Sequence, residues 1–113
     1  MHELALSQSI VELLAELSAR QGFRTVTKVF LEVGEAAGVE CESLRFCFDA
    51  ATRDTLAEHS ELHIARTPAR GECVHCHRTF PMPGGLAPCP HCRQWGATLV
   101  SGRELRVLAF EGD

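Results

Sequence analysis

No stretch of this 113-residue sequence approaches the ~20 consecutive apolar residues that cross a bilayer, so a membrane span is not expected. The N-terminus lacks both a basic n-region and an apolar h-region. A secretory leader is therefore not expected either, and the cytoplasm is the expected compartment. Internal repeats and low-complexity runs are missing, and no Ser/His/Asp or paired-carboxylate arrangement stands out to suggest an enzyme. Excess positive charge is lacking as well: the net charge is −4, and the aromatics are only six Phe and one Trp. That balance argues against nucleic acid as the partner.

What remains is an ordinary globular composition, 45% apolar and 23% charged, which suits one domain or one small domain with a smaller module attached. A core of this size is modest, so a structural metal would help it. Charge is unevenly spread. Residues 1–61 carry 5 Lys/Arg against 11 Asp/Glu, or −6, and residues 62–113 carry 6 Arg against 4 Asp/Glu, or +2. The two halves should present surfaces with different partners.

Leu6, Ile10, Leu13, Leu14 and Leu17 have the spacing of one face of an amphipathic helix, and Gly22 supplies its stop. Residues 25–33, TVTKVFLEV, read as a strand with Val29, Leu31 and Val33 on one face. Ser43 is placed to cap a second helix that carries Leu44, Cys47, Phe48 and Ala51 on one side. Cys47 then reads as a core thiol, and Cys41 falls in the preceding loop. Residues 61–67, ELHIART, alternate as a further strand. The residues between the two strands are enough for a parallel crossover. After Gly102, RELRVLAF (103–110) reads as a strand apolar on both sides, which wants cover on both faces and should return to the first sheet.

Between Pro68 and that last strand the composition changes. Residues 69–96 contain four cysteines, three histidines, four prolines and four glycines with almost no apolar periodicity, so they should not fold around a core of their own. The pattern is Cys73-Val-His-Cys76, twelve residues, then Cys89-Pro-His-Cys92. Two CxxC turns, each offering two thiolates, complete a tetrahedral four-sulfur set for one zinc ion. Closed sites of this kind are structural, and their binding energy is largely folding energy. Competing readings explain less. Cys73-Val-His-Cys76-His77 fits c-type haem attachment but leaves Cys89 and Cys92 unused, a lone redox dithiol would not come as two matched pairs, and disulfides need an oxidising compartment. His75, His77 and His91 crowd the site, either as exposed turn residues or as groups that replace a thiolate or add pH sensitivity. Zinc ribbons commonly place glycine after the second cysteine of each pair, but here those positions are His77 and Arg93, so the turns should be strained.

The chain opens Met1-His2-Glu3. A free Met1 amine, the His2 amide nitrogen and the His2 imidazole together make a five-membered and a six-membered chelate ring, the planar nitrogen set that Ni²⁺ or Cu²⁺ favours. Glu3 offers its amide or carboxylate as a further donor. The alternative is a solvated terminal histidine.

The MHEL start, an α/β unit of this length, the paired CxxC turns and Ser101-Gly102…Glu104-Leu105 together resemble the HypA/HybF family of [NiFe]-hydrogenase maturation proteins, over essentially the whole chain. The resemblance implies a non-enzymatic nickel metallochaperone. His2 would be the principal Ni(II) ligand, with Met1 and Glu3 as further donors, and Cys73, Cys76, Cys89 and Cys92 would hold structural Zn(II). It also implies the accessory GTPase HypB as partner and a hydrogenase large subunit as recipient, with urease in some members; neither nucleic acid nor membrane is expected to be bound. The expected fold is α+β, a small mixed α/β domain of two helices on a three-stranded sheet with an inserted zinc-ribbon module. The expected division is 1–68 with 102–113 as the nickel-binding domain and 69–101 as the ribbon. A zinc-ribbon adaptor for nucleic acid or protein, using Arg70, Arg78 and Arg93, is the rival reading.

Overall fold

The structure is a computed structural model that describes residues 3–113. Helix α1 (Glu3–Gln21) ends where the sequence suggests: Gly22 takes a left-handed φ of +81°, and the Phe23 N–H closes back on the Ser18 carbonyl at 2.9 Å. Its buried stripe is Ser7, Ile10, Leu14 and Ser18, whereas Leu13 is 40% exposed. The expected stripe is thus rotated, because apolar periodicity counts no serine as a core residue. The two hydroxyls find no hydrogen-bond partner among the described residues, at a cost of roughly 1–3 kcal/mol each.

Strand β1 (Val26–Gly34) follows, burying Val26, Val29, Leu31 and Val33. Helix α2 (Cys41–Ala51) packs against α1 and buries Leu44 and Phe48. Its cap is Glu40, not the expected Ser43: the Glu40 carboxylate accepts the Ser43 N–H at 2.6 Å. Ser43 lies inside the first turn, where its own N–H is one of the orphan donors a cap must satisfy. Cys41, expected in a loop, is the first residue of this helix. Cys47 is half-buried, not fully in the core.

Strand β2 (Glu61–Thr67) and strand β6 (Leu105–Gly112) flank β1 in a three-stranded sheet of order β2-β1-β6. Lys28 with Glu61, Phe30 stacked on His63, and Glu32 with Thr67 keep step along the strands, so β1 and β2 run parallel across the α2 crossover. β6 runs antiparallel: Thr25 and Asp113 exchange N–H···O bonds at 3.2 and 3.0 Å, and Gly34 N–H donates to the Glu104 carbonyl at 2.6 Å. Despite its apolar sequence, β6 is an edge strand, half-buried or exposed along its length, with Leu108 49% exposed. Cover on both faces is not realised. Its apolar groups are used in part, as where Phe110 meets Phe23 edge-on at 5.3 Å between ring centroids.

The second sheet, of order β4-β3-β5, is built from strands β3 (Arg70–Cys73), β4 (Thr79–Pro81) and β5 (Ala97–Ser101), all antiparallel. It encloses a small cluster that no apolar periodicity in the sequence marks. Ala69, Phe80 and Met82 are buried there, but the other two buried members are Cys73 and Cys89. The chain divides into two compact units. The first takes in the chain up to Leu31, Val39–Ile64 and Val107–Asp113; the second is Glu32–Gly38 with Ala65–Arg106. No helix among the described residues is long and apolar enough to cross a membrane.

Candidate metal centre

Cys73 ends β3 and Cys76 lies in the turn that leads toward β4, while Cys89 and Cys92 form a second turn before β5. The two turns are built alike. In the first, Cys73 Sγ accepts the N–H groups of His75 and Cys76 at 3.4 and 3.5 Å; in the second, Cys89 Sγ accepts those of His91 and Cys92 at 3.4 and 3.5 Å. Each turn closes through a backbone bond to its first cysteine, His77 N–H to Cys73 O at 2.9 Å and Arg93 N–H to Cys89 O at 2.8 Å.

The residue that follows each second cysteine must turn left-handed to keep this geometry, and His77 and Arg93 do so at φ 62° and 66°. A side chain in that region costs roughly 1–2 kcal/mol, and histidine tolerates it better than arginine. Arg93→Gly should therefore stabilise the second unit by about 1 kcal/mol, after the wider unfolded ensemble of glycine offsets part of the gain. His77→Gly should gain less. Denaturant unfolding followed through β3 and β5 amide signals measures both, and destabilisation by Arg93→Gly would contradict the strain argument.

The four sulfurs lie within 4.8 Å of one another. Cys73 Sγ is 3.5 Å from Cys92 Sγ, and Cys76 Sγ is 3.6 Å from Cys89 Sγ. A zinc ion about 2.3 Å from each of four thiolates sets its sulfurs about 3.8 Å apart, so the cluster has the size of a closed tetrahedral site. Cys73 and Cys89 are buried, and Cys76 and Cys92 are half-buried. As thiols, the four differ in character. The Cys76 backbone N–H, with that of His75, outweighs burial and holds Cys73 down to about 6. Burial acts to raise Cys89, but the N–H groups of Cys92 and His91 keep it below the usual thiol range. The Gln94 N–H acts to lower Cys92, yet burial and the Cys73, Cys89 and Cys76 sulfurs push it up to about 11. The Arg78 N–H is likewise outweighed at Cys76, which burial and the Cys89 and Cys73 sulfurs raise. The first cysteine of each turn thus gives up its proton more readily than the second. A divalent cation is what lets all four act as thiolates, with release of those protons.

The histidines face elsewhere. His75 Nε2 is 3.2 Å from the carbonyl oxygen of Trp95, a residue 60% exposed, and His77 Nδ1 is 3.9 Å from Glu72 Oε1. His91 Nδ1 accepts from Arg78 at 3.3 Å. Among the described residues, the four cysteines alone form a group able to hold a metal ion. Glu3 is the first residue of α1, and Met1 and His2, the other expected nickel donors, lie outside the described residues. The paired N–H donors of each turn, which set the thiol character, are not named by the CxxC pattern, although that spacing is what produces them. Arg70 and Arg93 are exposed.

A family model described as "Hydrogenase/urease nickel incorporation, metallochaperone, hypA" matches residues 1–112. The hydrogenase maturation factor HypA of Geobacter metallireducens is 49% identical over 111 residues, 98% of each chain. That of Psychromonas ingrahamii is 40% identical over 111 residues, covering 98% of this chain and 97% of its own. The solution structure of the Ni metallochaperone HypA from Helicobacter pylori is 21% identical and shares the fold, with a TM-score of 0.70 over 99% of this chain and 97% of that one. Paired cysteine turns that could hold a metal, set in a fold shared with that structure, thus coincide with a sequence match that leaves out only Asp113, and the chain belongs to the HypA family of nickel-incorporating metallochaperones for hydrogenase and urease.

Proposed function

We propose that this protein binds Ni(II) at its N-terminus and delivers it for [NiFe]-hydrogenase maturation, with urease as a second recipient class, and does so without catalysing a reaction. The observation that carries this reading is the reach of the family match, which begins at residue 1 and so includes Met1-His2-Glu3 along with the cysteines. His2 is the principal nickel ligand, and the Met1 amine and Glu3 complete the donor set. Glu3 opens α1, and first-turn N–H groups have no acceptor within their own helix, so the Glu3 amide nitrogen is not committed to the helical ladder. A small terminal site suits cargo that must be released.

Cys73, Cys76, Cys89 and Cys92 hold structural Zn(II), supported by the sulfur separations and by a donor set with no position left for a reacting ligand. In the cytoplasm the partners are the accessory GTPase HypB and a hydrogenase large subunit. Titrating nickel into protein that starts at Met1, and into protein with one extra residue before it, tests the terminal site. The extra residue moves the amine out of the five-membered ring, so affinity should fall at least tenfold. Equal affinities would rule out the amine as a donor.

A further inference from the structure

Ser101-Gly102-Arg103-Glu104 contains no cysteine, yet hydrogen bonds tie it to two other segments of the second unit. Its carbonyls take two of three successive amides at the end of β1 and in the loop that follows: Gly34 N–H donates to Glu104 O at 2.6 Å and Ala36 N–H to Gly102 O at 2.7 Å. Between them, Glu35 N–H donates to Thr67 O at 2.8 Å, on the strand that leads into the cysteine segment. The turn also holds itself and its neighbour, through Gly102 N–H to Glu104 Oε1 at 2.7 Å and Ser101 Oγ–H to Pro68 O at 2.9 Å.

The crossing admits no side chain at either glycine. A Cβ on Gly34 would lie 2.0 Å from the Gly102 carbonyl oxygen, and one on Gly102, whose φ is +111°, would lie 2.6 Å from Ala69 Cα. From there the contacts lead to the metal site. Ala69 O accepts the Met82 N–H at 2.8 Å, and Ala69 and Met82 share a core with Cys73 and Cys89, against which Ala36 itself packs.

We propose that the Ser101–Glu104 turn makes residues 34–36 part of the same cooperative unit as the four-cysteine site, so that metal occupancy there sets the order of the loop after β1. Segments that share packing and hydrogen bonds open together, and those that do not open separately. Here the shared contacts run on both sides of the loop, and the part of the core they reach contains two of the metal ligands. The proposal rests on the reading that the cysteines hold a metal ion.

Hydrogen exchange on the full, zinc-loaded chain tests it. Chelating the metal should raise exchange at Cys73 and Met82, and at Gly34, Glu35 and Ala36 by at least tenfold, while Leu14 and Val29 in the first unit change little. Gly102→Ala should raise exchange at residues 34–36 with about one zinc per chain retained, because it breaks the crossing without touching a ligand. Glu104→Ala, which removes only the side-chain acceptor for Gly102, is the milder variant and reports should Gly102→Ala fail to fold. Chelation that frees Cys73 and Met82 while residues 34–36 stay protected would overturn the link and leave the metal site intact. Unchanged exchange at Cys73 and Met82 would overturn the metal reading and the link with it.

Discussion

His2→Ala protein should bind no nickel at its N-terminus while it keeps about one zinc ion per chain and an unchanged melting temperature. The substitution removes the imidazole, and with it the six-membered ring. The Met1 amine, the residue-2 amide and the Glu3 donor then remain, and without the imidazole to anchor the metal this set does not compel amide deprotonation at neutral pH. The loss should therefore approach the whole affinity of the site. Since the donors must be deprotonated to bind, native affinity should fall as the medium is acidified. The cysteines proposed to hold zinc lie in a different compact unit from α1, which the terminal residues precede, so the variant gives zinc no reason to leave. Calorimetric nickel titration, metal analysis and a thermal melt on the same samples separate the outcomes. Native nickel affinity in the variant would make His2 an ordinary terminal residue and leave the carrier reading on family membership alone.

The second large effect is expected at the cysteines. Cys73→Ala and Cys92→Ala should each cost the protein its zinc, and with it the fold of the second unit. Without the metal, the cluster around the cysteines retains only Ala69, Phe80 and Met82 as buried apolar residues, too few to offset the ordering of a segment of this length. Metal binding at structural four-ligand sites supplies on the order of 10 kcal/mol, far more than burial of Phe80 and Met82 at about 1.5–3 kcal/mol each, with a smaller amount from Ala69, can replace. Cys73 adds a second consequence, because its sulfur accepts two backbone N–H groups that would be orphaned in the variant. Zinc content near one per chain in both variants would sink the four-sulfur assignment.

These two sites were legible to different degrees. The cysteine site is written in local spacing, since a CxxC turn brings its own sulfurs together and only the meeting of two turns needs the fold. The terminal nickel site is a proposal: it depends on the chemistry of three residues and their position, two of them outside the described residues, and it rests on the family resemblance. The elements themselves were legible where apolar and β-branched patterns are strong, as in β1, β2 and the body of each helix. Misplaced details came from residues whose role depends on distance or competition. Ser7 and Ser18 are buried because they are small, not because they are apolar, and Glu40 rather than Ser43 caps α2 because an acceptor before the helix reaches the orphan donor that Ser43 itself supplies. The apolar sequence of β6 looked like that of a central strand, yet its place at a sheet edge is settled by pairing with β1 far away in sequence. Phe80 and Met82 stand in a proline- and glycine-rich stretch with no period to mark them, and they become a core only once β3 and β4 pair.

Trp95, whose backbone carbonyl meets His75 beside the first cysteine turn, is the only tryptophan in a chain that contains no tyrosine. Near-ultraviolet absorbance and indole emission from this protein therefore originate at one residue of the second unit, and the helices and first sheet are silent at those wavelengths apart from weak phenylalanine bands. A spectrum taken during chelation or metal return is already a local measurement, with no label introduced and no signal to subtract. The same economy has a practical side. With so small an extinction coefficient, protein concentration and metal-to-protein ratios are better taken from amino-acid analysis than from absorbance at 280 nm.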